Sequence, residues 1–301
     1  MDYKKIIRNR SLRLKILRFL SFVPDQLMLK IQYRIKTGRR LDLKNPQRFT
    51  EKLQWYKLHY RNPLMIQCVD KYEVRQFVEA KGLKELLLPC YGVFDSADDV
   101  NWDTLPNQFV MKDTLGMGGA SVIIVKDKTT VNIEELKRRA SEWTAVDAHV
   151  RDGGREWPYY SGKKHRIIIE AFLEADDKEF GLIDYKFFCF DGEIRFLYVM
   201  GCRDTGKNVK VTLMDRDFHR IPVSRVGDEE LGEIKKPVGY ERMLAIAETL
   251  SCDFPHVRID LYNIGGVIRF GEMTFYNASG YMKYNPDTFD YEIGRQWKLP
   301  L

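Results

Sequence analysis

Two short segments near the C-terminal end decide the fold: residues 257–261 (VRIDL) and residues 268–273 (IRFGEM). The pair Gly265-Gly266 between them is a tight-turn signal, so the segments are predicted to be neighbouring strands of one hairpin. Each strand carries one carboxylate, Asp260 or Glu272, in an otherwise apolar run. A buried carboxylate is costly unless it is paired or binds a metal. Two such groups side by side therefore require a cation between them.

That cation has two candidate identities. Mg²⁺ prefers oxygen ligands and keeps water and phosphate oxygens around it, so it fits a carboxylate pair. The alternative is a salt bridge from Arg258 or Arg269, which lie in the same two strands. We favour the metal, because one arginine would serve but would not explain the placement of both carboxylates.

An aromatic segment upstream carries an isolated charge. Residues 183–190 (IDYKFFCF) are predicted to form a strand, and Lys186 in this strand needs a partner. A polyphosphate is one such partner, and an exposed strand edge would explain the lysine equally well. Arg203 follows at the end of the next predicted strand, where it could face the same anionic oxygens.

A glycine-rich loop follows the strand 109–112 (FVMK). Gly116, Gly118 and Gly119 leave the backbone N–H groups free to converge on an anion, because no Cβ atom obstructs them. Lys112 ends the preceding strand and could meet a phosphate as a point charge. A flexible hairpin loop is the alternative, since a glycine cluster alone is a weak motif.

Charge and composition exclude several functional classes. The 301 residues carry a net charge of +6, but the first 40 residues hold twelve Lys or Arg and two Asp or Glu, so the remaining 261 carry −4. A nucleic-acid partner is therefore not expected, because a phosphate-binding footprint should cover the working surface. The five cysteines are dispersed without metal-binding spacing, which favours a reducing cytoplasm.

Residues 4–20 interleave basic and apolar side chains and are predicted to form a basic, partly amphipathic helix. Charge interrupts the apolar run, so the segment resembles neither a signal peptide nor a membrane-spanning helix. Two interpretations stay open. The helix packs on the body of the protein, which is slightly favoured, or it makes a peripheral contact with anionic lipid at the inner face of the membrane.

The remaining periodicity predicts an α+β chain with mostly antiparallel sheet after residue 108. Helices are predicted at 46–60 (capped by Thr50 or Asn45), 68–81, 133–146 and 241–251. The residues expected on their inner faces are Phe49, Leu53 and Tyr56 in the first, Val69, Tyr72 and Phe77 in the second, and Ile133, Leu136, Ala140 and Trp143 in the third. Strands are predicted at 109–112, 121–126, 166–172, 185–190, 193–200, 209–214, 257–262 and 267–275. Asp191-Gly192 is a second tight-hairpin signal. Glu170, in the 166–172 strand, is interpreted from the residues alone as a strand-end charge. The alternative is that it accepts a hydrogen bond from an adenine amino group, with the backbone of 171–173 contacting the edge of the base.

The order of these features along the chain resembles that of the ATP-grasp fold. The features are a strand that ends in lysine, a glycine loop, a strand with Glu, an Asp-x-Lys strand and an Asp…Glu pair. More closely, the chain resembles the TupA-like branch, named for teichuronopeptide biosynthesis and found in capsule and exopolysaccharide loci. The resemblance covers about residues 42–290. The stretches that carry it are 45–55 (NPQRFTEKLQW), 69–72 (VDKY), 154–158 (GREWP), 184–190 (DYKFFCF), 254–262 (FPHVRIDLY) and 271–276 (GEMTFY).

The resemblance implies two α+β lobes that clamp a nucleotide, after a helical N-terminal segment. We expect a basic helical segment at 1–40, a substrate-side subdomain at 41–108, a small lobe with the glycine loop at 109–175 and a large lobe with the metal site at 176–301.

The resemblance also implies roles for individual residues. The residues expected to bind ATP are Lys112, Gly116, Gly118, Gly119, Ala120, Ser121, Glu170, Ala171, Leu173, Asp177 and Lys186. Asp260, Glu272 and Asn277 are expected to hold Mg²⁺, and Lys186 and Arg203 to act in catalysis. Lys71, Arg155 and Arg258 are candidates for contacting substrate. Many ATP-grasp enzymes have Glu-x-Asn for a second metal, whereas this chain has Thr274 at that place, so the number of metals is open.

The function implied is a cytoplasmic Mg-ATP-dependent ligase of surface polysaccharide biosynthesis. It would join the carboxylate of a sugar, such as a uronic acid, to an amino acid or another amine through an acyl phosphate. A sugar kinase on the same fold is one alternative. A glycosyltransferase is another, although its usual Asp-x-Asp motif is matched only by Asp215-Arg216-Asp217, at a predicted turn.

Overall fold

The structure is a computed structural model that describes residues 16–17, 19–117, 119, 121–146, 153–203 and 208–300. The helices are α1 (Asp25–Thr37), α2 (Phe49–His59), α3 (Pro63–Val69), α4 (Val74–Ala80), α5 (Ile133–Thr144), α6 (Tyr240–Ser251) and α7 (Thr288–Gln296). The strands are β1 (Cys90–Phe94), β2 (Phe109–Asp113), β3 (Val122–Val125), β4 (Ile167–Ala171), β5 (Asp184–Phe190), β6 (Glu193–Gly201), β7 (Lys210–Met214), β8 (Ser224–Arg225), β9 (His256–Ile264), β10 (Val267–Thr274) and β11 (Tyr284–Asn285).

The chain divides into two compact units. The larger unit comprises Met1–Asn62, Val150–Trp157 and Asp176–Leu301, and the smaller unit comprises Pro63–His149 and Pro158–Ala175. The expected four-part division of the chain stays a prediction. Most of the basic helix expected at 4–20 lies outside the described residues. Across the residues that are described, no helix is long and apolar enough to cross a membrane.

The smaller unit contains a four-stranded antiparallel sheet in the order β1-β4-β2-β3. Its core includes Phe109 and Ile169 of the sheet and, from α5, Leu136, Ala140 and Trp143, so the predicted inner face of α5 is confirmed. Strand β1 was not predicted, because its five residues (CYGVF) include a glycine and lie only partly buried.

The helix predicted at 68–81 is wrong, since α3 and α4 are separate. The buried carboxylate of Asp70 accepts the backbone N–H groups of Tyr72 and Glu73 at 2.8 and 2.9 Å, and this local turn replaces the helical hydrogen bonds. Tyr72, expected to face inward, is only half-buried, whereas Val69 and Phe77 are buried as expected.

The larger unit contains a five-stranded antiparallel sheet in the order β10-β9-β5-β6-β7. Both predicted tight hairpins are confirmed. Asp191 and Gly192 have φ values of 50° and 82°, and Gly265 and Gly266 have 58° and 90°, which are the positive values that two-residue hairpin turns require. Helix α6, predicted at 241–251, packs against β5, β6 and β9 on one face of the sheet.

An aromatic cluster covers part of the opposite face. Phe49 of α2 lies 5.5 Å from Phe190, 5.3 Å from His256 and 5.9 Å from Trp297, measured between ring centroids. Burial lowers the pKa of His256 to about 3, so this histidine is neutral at pH 7 and behaves as part of the core. The predicted buried face of α2 (Phe49, Leu53 and Tyr56) is confirmed.

The predicted cap of α2 is wrong. The N-cap is Arg48, and the carboxylate of Glu51 accepts the backbone N–H groups of Gln47 and Arg48 at 3.0 and 3.1 Å. Thr50 instead donates its hydroxyl to Asp290 of α7 at 2.7 Å. Sequence spacing could not predict this, because the partner of Thr50 is 240 residues away.

Gly294 of α7 permits a close approach to the start of α2. A Cβ atom added there would overlap the carbonyl oxygen of Gln47 and lie 2.8 Å from the backbone nitrogen of Phe49. We expect Gly294→Ala to lower the free energy of unfolding by about 1–3 kcal/mol, measured by urea denaturation, because backbone atoms must move. The control is Gly232→Ala, whose Cβ would lie at an ordinary 3.7 Å from Phe180. Equal stabilities of the two variants would contradict this packing argument.

Candidate active site

The register of the larger sheet aligns three predicted site residues in one row. Lys186 of β5 lies directly opposite Asp260 of β9, and Asp260 lies opposite Glu272 of β10. Directly opposed residues in a sheet project from the same face, so the three side chains are neighbours. Gly271 makes this alignment possible. The register shifts between Phe270 and Glu272, and a Cβ at Gly271 would lie only 2.9 Å from the carbonyl oxygen of Asp260.

The residues of this row form a charge cluster, in which Lys186 and Asp260 are buried and the side chain of Glu272 is 44% exposed. The Nζ atom of Lys186 contacts Oδ2 of Asp260 and lies 2.6 Å from Oδ2 of Asp184. Asp184 also lies 3.5 Å from Nη2 of Arg203, whose side chain is about half exposed. The structure therefore brings together four predicted site residues, Lys186, Asp260, Glu272 and Arg203.

Asp184 is the site residue that the sequence analysis missed. It is buried, and it precedes Lys186 by two residues in β5. Side chains in a strand alternate between faces, so Asp184 and Lys186 must share one. The spacing of two residues in Asp-Tyr-Lys could therefore have predicted that Asp184 lies beside Lys186.

Arg258 lies at the centre of the cluster. Its Nε donates to Oδ1 of Asp260 at 2.6 Å, and its Nη2 donates to Oδ2 at the same distance. Nη2 also donates to Glu272 and to the hydroxyl of Thr274, both at 3.0 Å. The guanidinium group further contacts Oδ1 of Asn277. Arg258, the alternative cation considered from the sequence, is thus in contact with both carboxylates.

A strained turn after β10 positions Asn277. The next two residues, Ala278 and Ser279, have φ values of 45° and 53°, a left-handed conformation that costs about 1–3 kcal/mol per residue outside glycine. Two side chains of α2 stabilise the turn. Gln54 and Lys57 both donate to the carbonyl oxygen of Ser279 at 2.9 Å.

Burial dominates the electrostatics of Asp260. Removal from water raises the pKa of Asp260 to about 6, while the charges of Arg258 and Lys186 oppose this rise. Its Oδ1 accepts a hydrogen bond from Arg258, and its Oδ2 accepts hydrogen bonds from both Arg258 and Lys186. The ionised carboxylate is therefore tolerated at this buried position because it is paired.

The donor chemistry of the cluster fits Mg²⁺, which prefers carboxylate oxygens. One oxygen, Oδ1 of Asp184, is buried without a hydrogen-bond partner, as is Nδ2 of Asn277. In the part of the chain that the structure describes, no three His, Cys, Asp or Glu side chains converge as a metal site. A metal at Asp260 would have to take over an oxygen from Arg258 or Lys186. The metal roles of Asp260, Glu272 and Asn277 stay predictions.

The smaller unit holds a second set of predicted residues. Nζ of Lys112 lies 2.8 Å from Glu170, and Nη1 of Arg75 lies 3.2 Å from the same carboxylate. Glu170 is therefore a buried, paired charge and not an exposed strand end. The N–H of Ala171 donates to the carbonyl oxygen of Pro89 at 2.9 Å, and Leu173 is half-buried.

The glycine loop closes tightly at its base. A Cβ at Gly116 would lie 2.6 Å from the Cβ of Ser121, so the close approach of the two loop ends requires glycine. Nζ of Lys71 donates to the carbonyl oxygen of Gly116 at 2.6 Å. Gly119 has a φ of 73°. Gly118 and Ala120, two of the predicted nucleotide-binding residues, lie outside the described residues.

Two other predicted residues of the larger unit make structural contacts. Asp177 accepts the backbone N–H groups of Glu179 and Phe180, both at 2.8 Å. The guanidinium group of Arg155 is buried, and it donates to Asp25 at 2.9 Å and to the carbonyl oxygens of Leu20, Ser21 and Val23. Their expected roles in binding nucleotide and substrate stay predictions.

The sequence matches the model of one protein family, described as TupA-like ATPgrasp, over residues 51–298. The chain belongs to the TupA-like ATP-grasp family. A search of curated proteins finds no match. The predicted family and α+β ATP-grasp fold are thereby confirmed.

Solved structures with similar folds include two ligases and one synthetase. D-alanine–D-alanine ligase from Bacillus anthracis is 18% identical, with a TM-score of 0.41, 69% of this chain covered and 57% of that chain. L-amino acid ligase from Bacillus licheniformis is 16% identical, with a TM-score of 0.44 and coverages of 76% and 49%. N5-carboxyaminoimidazole synthetase from Staphylococcus aureus, complexed with ADP, is 11% identical, with a TM-score of 0.43 and coverages of 74% and 50%.

This TupA-like chain thus spans about half the length of the solved structures it matches. At these scores the structural similarity adds nothing to the family assignment, which depends on the sequence match alone.

Removal of Arg258 should be costly, because it leaves the buried carboxylate of Asp260 without its main partner. We expect Arg258→Met to lower the free energy of unfolding by about 3–5 kcal/mol in urea denaturation. The matched control is Arg216→Met, which breaks the surface ion pair of Arg216 with Glu248 and should cost about 0–1 kcal/mol. A loss at Arg258 no larger than at Arg216 would contradict the central position assigned to this guanidinium group.

Proposed function

We propose that this TupA-like protein is a Mg-ATP-dependent carboxylate–amine ligase. The observation that carries the proposal is the row of Lys186, Asp260 and Glu272 on one face of the sheet, with Arg258 bound to both carboxylates. Membership of an ATP-grasp family supports it. Two of the similar solved structures are named as ligases that act on amino acids.

We assign the ligand roles as follows. Lys112, Lys186 and the glycine loop bind the phosphates, and Glu170, Ala171 and Leu173 contact the adenine. Asp260, Glu272 and Asn277 hold Mg²⁺, which would supply further neutralisation of phosphate charge when bound. Asp184, missed from the sequence, joins this set through its contact with Lys186.

Exchange of partners in the charge cluster makes this assignment electrostatically reasonable. Asp260 is now neutralised by Arg258 and Lys186. If its oxygens are taken over by a cation, the N–H donors of both basic side chains become available to an anion. The cluster can therefore accept a metal together with a phosphate group at little net change in buried charge.

The proposed reaction has two steps. An oxygen of the substrate carboxylate attacks the γ-phosphorus of ATP, the bond from that phosphorus to the β–γ bridging oxygen breaks, and ADP leaves. The amine nitrogen then attacks the acyl carbon, phosphate leaves with the bonding electrons, and the nitrogen loses a proton. Lys186 and Arg203 would reduce the repulsion between the carboxylate and the phosphoryl group, so no nucleophilic side chain is needed.

The proposed substrate is a sugar carboxylate, such as a uronic acid, and the proposed amine donor is an amino acid. Support for these classes comes from the branch of the family and its association with surface polysaccharide loci. A cytoplasmic enzyme with a peripheral membrane contact through residues 1–20 belongs to the same proposal, since this segment is strongly basic.

A sugar kinase would use the same ATP site and is the second candidate. The glycosyltransferase alternative is disfavoured by one observation. Oδ1 of Asp215 accepts the backbone N–H groups of Asp217 and His219 at 3.0 and 2.8 Å, so the Asp-x-Asp match serves to hold a turn.

The test is release of ADP and phosphate from Mg-ATP with uronic acids and amino acids offered singly and together. We expect release that requires both, and trapping of a hydroxamate when hydroxylamine replaces the amine. Lys186→Met should lower the rate about a hundredfold or more, because one charge facing the developing anion is lost. Arg216→Met is the control and should keep full activity.

Other outcomes discriminate between the candidates. ADP formation without an amine, with phosphate retained on the sugar, would replace the ligase by the kinase. Turnover of a nucleotide sugar without ATP would contradict both.

A further inference from the structure

An apolar stripe on α1 is exposed to solvent. Leu27, Ile31 and Ile35 follow each other at intervals of four residues and are 51%, 44% and 46% exposed. Residues four apart lie on one face of a helix, so the three form a continuous line about 12 Å long.

The stripe cannot rotate into the core, because the opposite face of α1 is fixed. Met28, Leu29 and Tyr33 are buried on that face. The Tyr33 hydroxyl shares a 2.8 Å hydrogen bond with Thr50, and Gln32 donates to the carbonyl oxygen of Gly153 at 2.8 Å. The exposed side chains are therefore presented to solvent by a rigid helix.

Two aromatic rings before α1 are still more exposed. Phe19 and Phe22 are 77% and 73% exposed, and their rings contact each other edge to face at 6.2 Å. Buried Arg155 binds the carbonyl oxygens of Leu20, Ser21 and Val23 and so fixes the turn that carries these rings. Solvent-facing aromatic side chains on a fixed turn are typical of a contact surface.

The exposed charges of α1 are of one sign. Lys30 and Arg34 are exposed, and the only carboxylate of α1, Asp25, is bound by Arg155 at 2.9 Å. The sequence 4–18 adds seven Lys or Arg and no Asp or Glu.

We propose that this lipid-docking surface, consisting of Phe19, Phe22, Leu27, Ile31 and Ile35 with Lys30 and Arg34, binds the chain to an anionic lipid bilayer. Apolar side chains of an amphipathic helix enter the boundary between headgroups and acyl chains, and flanking cations contact anionic headgroups. Charge complementarity selects this partner. Two copies of the same basic surface would repel each other, which disfavours a symmetric dimer. The proposal rests on the peripheral membrane contact named under the proposed function and assigns its surface, but it does not depend on the chemistry at the active site.

Vesicle co-sedimentation of the full chain provides the test, with phosphatidylcholine vesicles that contain or lack phosphatidylglycerol. We expect binding only to the anionic vesicles, weakening as salt is raised. The triple variant Leu27→Ser, Ile31→Ser, Ile35→Ser should lower the partition coefficient about tenfold or more. The matched control is Val226→Ser, Val238→Ser, Val267→Ser, which removes three similarly exposed apolar side chains elsewhere in the larger unit and should bind normally.

A second pair of variants tests the charges. Lys30→Glu with Arg34→Glu should weaken the preference for anionic vesicles, whereas Lys235→Glu with Lys298→Glu, also at exposed positions, should preserve it. Circular dichroism would verify that every variant is folded.

Three results would overturn the proposal: no binding to anionic vesicles, unchanged binding of the triple variant, or dimerisation that the triple variant abolishes. In the second case the basic residues of 4–18 would carry the membrane contact without the helix, and in the third the surface would bind a second copy.

Discussion

Neutralisation of Asp260 is the constraint on which the larger unit depends. An ionised carboxylate buried on an inner strand of a five-stranded sheet is unfavourable unless basic side chains reach it. Arg258 reaches it from the same strand and Lys186 from the neighbouring strand. Two backbone features bring Glu272 into the same cluster. The register shift at Gly271 brings Glu272 beside Asp260, and the hairpin at Gly265 and Gly266 joins the two strands.

The same face of the sheet changes character along its length. At one end, the rings of Phe188, Phe190 and His256 are sealed by Phe49 and Trp297. The other end of the face is charged. In β5, Lys186 and Asp184 lie two and four residues before Phe188, and in β9, Asp260 lies four residues after His256. Because the aromatic end is packed, it supports the strands rigidly. The charged side chains are therefore held in place before any ligand binds. Such preorganisation is what electrostatic catalysis requires.

Much of this could be predicted from the sequence. The β9–β10 hairpin followed from two glycines and two apolar runs, and the positions of Asp260 and Glu272 followed from the hairpin. The alternation of side chains in β5 could also have predicted the position of Asp184, which was interpreted only as part of the Asp-x-Lys motif. The cap of α2 and the break between α3 and α4 were not predictable from local spacing. At the cap of α2, Thr50 donates its hydroxyl to Asp290, which is far along the chain. At the break, the carboxylate of buried Asp70 accepts backbone N–H groups and ends the helix, although the apolar periodicity continues.

Binding of Mg-ATP by the Asp260 cluster is open to a direct test by calorimetry. ATP would be titrated, with and without Mg²⁺, into the wild type, Glu272→Ala and the surface control Val238→Ser. We expect micromolar binding that requires Mg²⁺, is weakened about tenfold or more in Glu272→Ala and is unchanged in Val238→Ser. Absence of ATP binding by a folded wild-type chain, or binding that neither Mg²⁺ nor Glu272 affects, would contradict it.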